Sequence, residues 1–187
     1  TDAQYGAIFL PQVALAVLGA VVGGTLARRL GLQPLLWLTA AGNGLSQLAL
    51  AASVWVMPTL AFPTILAGTA LLGFSFGLGG APLNSYPPRF FPRHAPAAVV
   101  ALHTLLGLGL MVGPLLAEGF VRVDRWAGFP LLLLGLSVLL ALIAALAIPA
   151  AVVVKSGLCF QVWGLSSGVG TGLYYGVSPF KLGLEPV

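Results

Sequence analysis

Charge is what this chain has least of. Of 187 residues, 8 are Lys or Arg and 4 are Asp or Glu, so charged side chains make up 6%, against about 25% in a soluble domain. That shortage excludes a soluble enzyme, a disordered tail and a nucleic-acid binder. The pI near 9.7 rests on too few cations for a phosphate-tracking surface. Cysteine is nearly absent too. The single Cys159 excludes an internal disulfide, and no cluster has zinc-ligand spacing. There is no paired-carboxylate site, no Ser-His-Asp set with a buried acid and no Gly-Lys-Ser/Thr phosphate loop. No enzyme activity, cofactor, metal or nucleic-acid partner is therefore expected.

Apolar residues and glycine are abundant: 59% hydrophobic, 25 glycines and a mean hydropathy of +1.04. A helix crosses a bilayer with about 20 mostly apolar residues. Six charge-free stretches of that length appear, near 6–27, 34–56, 59–86, 95–117, 127–149 and 157–180. Their continuous runs, such as Leu131 to Leu134, exclude the alternation of a membrane β-barrel. The expected fold is all-α and polytopic, with six transmembrane helices in a lipid bilayer. Residues 1–149 read as a five-helix bundle. Residues 150–187 read as a linker, a Gly-rich sixth helix and a short tail. Thr1–Gln4 reads as a loop, with the first helix entered near Gly6.

Basic loop residues set the orientation. Arg28, Arg29, Arg89, Arg93 and Lys155 fall in alternate loops, against Arg122, Arg125 and Lys181 in the others. Loops 28–33, 87–94 and 150–156 are thus expected in the cytoplasm, and both termini outside. The preference for Arg over Lys, with abundant Ala, Leu and Gly, fits a bacterial inner membrane.

Gly164, Gly168, Gly172 and Gly176 recur every four residues in the last stretch, a spacing that lets a second helix approach closely. Shorter versions stand at Gly19/Gly23, Gly73/Gly77 and Gly109/Gly113. Intramembrane ionisable residues are functional candidates, and His103 is one. It is placed to bind substrate, relay a proton or ligate a metal or a chlorin magnesium, or simply to hydrogen-bond a neighbouring helix. No carboxylate lies at a midplane position, which argues against proton coupling by this chain alone. Asn43 and Gln47, four apart, read best as interhelical hydrogen-bonding groups. Asn84 is either a helix-terminus partner or a substrate contact.

The run Gly24-Thr25-Leu26-Ala27-Arg28-Arg29-Leu30-Gly31 resembles the signature loop of the major facilitator superfamily, Gly-x-Leu-Ala-Asp-Arg-x-Gly-Arg-Lys. Arg28 stands where that family has its acid, and Leu32 and Gln33 replace the final basic pair. The resemblance makes Gly24, Arg28, Arg29 and Gly31 a gating loop that lacks its charge-relay acid. Gly77 to Asn84, Phe91-Pro92-Arg93 and His103 to Pro114 are similar to the fourth and fifth helices of sugar- and drug-type members, without the fourth-helix Arg. Gly109-x-x-x-Gly113-Pro114 resembles the antiporter motif. Residues 2–27 look like the family's second helix, and Gly172 to Val177 faintly like its seventh.

The resemblance thus maps 2–149 onto helices two to six and adds one first- or seventh-like helix. Either the chain is a truncated transporter, or its last helix fills the first-helix place. By resemblance the last helix lines a cavity, which makes Gln161, Tyr174 and Tyr175 substrate contacts; aromatic anchoring at the interface is the other reading of the tyrosines. The function implied is alternating-access transport of a small organic solute, with a second half supplied by a homodimer or another chain. The alternative is a non-transporting accessory subunit docked on partner subunits of a respiratory or photosynthetic complex.

Overall fold

The computed structural model describes residues 2–147, and these are helical apart from short connections. Five long helices follow one another: α1 (Asp2–Leu30), α2 (Leu32–Ala52), α3 (Pro58–Phe90), α4 (Ala95–Arg122) and α5 (Gly128–Ala147), with a short 3-10 turn at Pro92–His94. Four segments are long and apolar enough to cross a membrane: Gly6–Leu30, Leu32–Ala52, Pro58–Phe90 and Pro92–Arg122. The expected fifth span falls on α5, a helix of 20 residues that is not among these four; the expected sixth lies outside the described residues.

Two expected boundaries move. The helix begins at Asp2, not near Gly6, because Ala3 and Gln4 are good helix formers and no breaker precedes Gly6. The third helix runs through Pro87-Pro88 to Phe90. Proline removes a donor, yet helical φ is its natural value, so two prolines in a last turn leave the helix path intact.

The distribution of polarity is inverted relative to a soluble domain. Leu10, Val17 and Val21 on α1, and Val100, Met111 and Leu115 on α4, are more than 60% exposed. Thr39, Asn43, Ser46, Gln47, Thr69 and Ser75 are all buried. Lipid tails accept the first set and reject the second. The described residues are all-helical apart from short connections, and their apolar helices are those of a multi-pass membrane protein.

Glycine decides which helices touch. The pairs Gly19/Gly23 on α1 and Gly73/Gly77 on α3 line a single seam, each meeting the backbone of the other helix. A Cβ on Gly19 would meet the Phe74 carbonyl oxygen, and one on Gly23 would lie 2.9 Å from that of Leu78. On Gly73 it would meet the Gln12 carbonyl oxygen, and on Gly77 that of Ala16. Close backbone approach is what drives packing where the hydrophobic effect is absent. Pro82 has no N–H to offer the Leu78 carbonyl four residues earlier, and that carbonyl faces Gly23.

α1 and α3 run parallel and α2 runs antiparallel to both. Ser46 donates to the Gly68 carbonyl at 2.8 Å, Gly42 faces the Ser75 side chain, and Leu36 packs by Leu83. α4 and α5 close the other side: Ala117, Phe129 and Leu133 form one cluster, with the Phe120 and Phe129 rings edge to face at 6.0 Å. Gly31, at φ 88°, makes the one-residue turn between α1 and α2, a conformation glycine adopts without strain. This topology gathers Arg28, Arg29, Arg89 and Arg93 at one end of the bundle. Arg122, Asp124 and Arg125 lie at the other, where Arg122 pairs with Glu118 at 3.1 Å.

Candidate functional site

A cleft of about 360 Å³ opens between α1, α3 and α4, within the size range of small-molecule sites. Its floor is backbone and small side chains: Ala16 and Ala20 from α1, Gly77 and Gly80 from α3. Leu83, Leu102 and Leu106 form walls. Of eleven lining residues two are polar, Asn84 and His103.

The fold explains this pairing. The α3–α4 connection turns at Phe91–His94, so Asn84 before it and His103 after it return to similar depth on antiparallel helices. Leu83 and Leu102, their sequence neighbours, pack together below them. Gly77 meets the α1 backbone at Ala16 and Ala20, and Val17 and Phe76 line the cleft beside it. Gly80, one turn on, has open space where a Cβ would stand.

Hydrogen bonding then fixes what the two polar groups offer. The His103 Nδ1 lies 2.9 Å from the Val99 carbonyl oxygen. A carbonyl only accepts, so Nδ1 carries a proton; in the Nδ1–H tautomer Nε2 is left as an acceptor. Asn84 Nδ2 donates one hydrogen to the Gly80 carbonyl at 2.8 Å, which leaves its second N–H as a donor and Oδ1 as an acceptor. Among the described residues neither group bonds a neighbouring helix. The site therefore shows two acceptors and one amide donor beside apolar walls.

The other sequence candidates fall elsewhere. Asn43 and Gln47 are buried on α2, but Asn43 Oδ1 and both polar atoms of Gln47 have no partner among the described residues; the bond that ties α2 to α3 comes from Ser46. Gly24, Arg28 and Arg29 lie in the last two turns of α1, with both arginines exposed, and Gly31 follows as the turn. Gly109 and Gly113 are buried on α4. Gln161, Tyr174, Tyr175, Gly164, Gly168, Gly172 and Gly176 lie outside the described residues. Sequence reasoning missed Gln12, a buried amide in α1; a lone glutamine in an apolar run is itself the signal.

No family model, curated protein or solved structure matches this chain.

Proposed function

We propose that this chain is a major-facilitator-type membrane bundle that binds a small organic solute in the α1–α3–α4 cleft, for alternating access against a second bundle. The single observation that carries the reading is the convergence of Asn84 and His103, from two helices, on a 360 Å³ cleft with an apolar floor. The signature-like run Gly24 to Gly31 supports it as a resemblance. Two acceptors and one amide N–H select a solute with a hydroxyl or an amine, groups that donate to the acceptors, on an apolar body. A second bundle, from a homodimer or another chain, supplies the opposing wall, because rocking needs two halves. The end carrying Arg28, Arg29, Arg89 and Arg93 is cytoplasmic by the positive-inside rule, in a bacterial inner membrane.

Reconstitution in liposomes tests the reading. Uptake of a hydroxyl- or amine-bearing amphiphile that stops when Gly80→Leu fills the cleft is the expected result. No binding and no uptake, together with stable co-purification in a multisubunit membrane complex, overturns it in favour of an accessory subunit.

A further inference from the structure

The interior shared by α1, α2 and α3 holds amide atoms with no hydrogen-bond partner among the described residues. Ile8, Leu50 and Ile65, one from each helix, form an apolar cluster. One turn inward from that cluster lie Gln12, Gln47 and Thr69. The next turn of α2 brings Asn43, next to Gly42, which faces Ser75. Gly73 of α3 meets the Gln12 backbone at the same depth. These steps place the polar side chains within about two helical turns of one another, roughly 9 Å along the axis, close to the middle of the 33-residue α3. Gln12 is 7% exposed, Asn43 3%, Ser75 2% and Gln47 0%. Yet Gln12 Oε1, Asn43 Oδ1, Gln47 Oε1, Gln47 Nε2 and Ser75 Oγ have no hydrogen-bond partner among the described residues.

Unpaired polar atoms at such a depth are strongly disfavoured in hydrocarbon. Their balance says what would pair them. Three amide oxygens accept, one amide nitrogen donates, and the Ser75 hydroxyl does both. The occupant must therefore donate more than it accepts, and it must be small. A bare cation satisfies the oxygens but not Gln47 Nε2, and the layer has no acid to neutralise it. Water donates twice and accepts from the amide. We propose that this layer is a binding site for ordered water, a hydrated joint through which α2 is held to the α1–α3 pair.

The test is water-selected magnetisation transfer by NMR on the full chain in lipid nanodiscs, with glutamine and asparagine side-chain amides labelled. The expected result is a bound-water cross-peak at the Gln47 amide protons. Gln47→Leu is expected to keep the backbone spectrum of α1 and α3 and to weaken the water transfer at Asn43 and Gln12. Should Gln47→Leu fail to fold, Ser75→Ala carries the same comparison. Direct amide-to-amide contacts among Gln12, Asn43 and Gln47 without water transfer would overturn the proposal. Amide shifts that titrate with sodium would overturn it in favour of a cation site.

Discussion

The two faces of α3 use the same residue type to opposite ends. On the α1 side, Gly73 and Gly77 are buried against backbone, and any Cβ there collides. On the α4 side, Gly80 has nothing within 4 Å and opens onto the cleft with Asn84 and His103. A glycine in a membrane helix has no fixed meaning of its own. Opposed by the backbone of another helix, it joins two helices; opposed by nothing, it opens onto a cleft. The difference lies in the partner surface, and α1 brings Gly19 and Gly23 while α4 brings Leu102, His103 and Leu106.

The largest expected effect breaks the closed face. Gly77→Leu forces α1 and α3 apart and destabilises the bundle by about 3 kcal/mol or more, at or beyond the upper end of ordinary overpacking; equilibrium unfolding in mixed micelles reads it. Gly80→Leu sharpens the contrast. It changes stability by about 1 kcal/mol or less, while solute binding falls at least about tenfold, or 1.4 kcal/mol. Asn84→Leu and His103→Leu each remove one acceptor at about 1 kcal/mol, a loss of roughly fivefold in affinity with little change in unfolding. On the α2 seam, Ser46→Ala removes the bond to Gly68 and costs about 0.6 kcal/mol, the typical size of an interhelical bond in a membrane. Smallest of all is Gly107→Ala. Gly107 is exposed on α4 with open space around it, so alanine there is expected to be neutral or stabilising by up to about 1 kcal/mol.

Helices were legible because composition and run length carry them; a bilayer admits few other structures for such sequences. The end residues were less so. A prolyl pair such as Pro87-Pro88 reads as a break, yet it stands inside the last turn of α3. The glycine pairs were visible one helix at a time. Which pairs meet is a property of two surfaces, and nothing along a single helix says that Gly19/Gly23 and Gly73/Gly77 share a seam. Asn84 and His103 were each visible as polar positions, nineteen apart in number. Their convergence needed the turn at Phe91–His94 to bring α4 back along α3. Asn43 and Gln47 show the reverse: their spacing promised interhelical bonds, and Ser46, one position away from Gln47, makes the bond to α3.

The account turns on the cleft, and one measurement addresses it most directly. Equilibrium binding of a hydroxyl- or amine-bearing amphiphile, and of its analogue without the donor, is compared on the full chain and on Gly80→Leu in nanodiscs. The account predicts that the donor-bearing compound binds the native chain several-fold more tightly than its analogue, and that Gly80→Leu abolishes the difference. Equal binding of the two compounds, or binding that Gly80→Leu leaves unchanged, would contradict it.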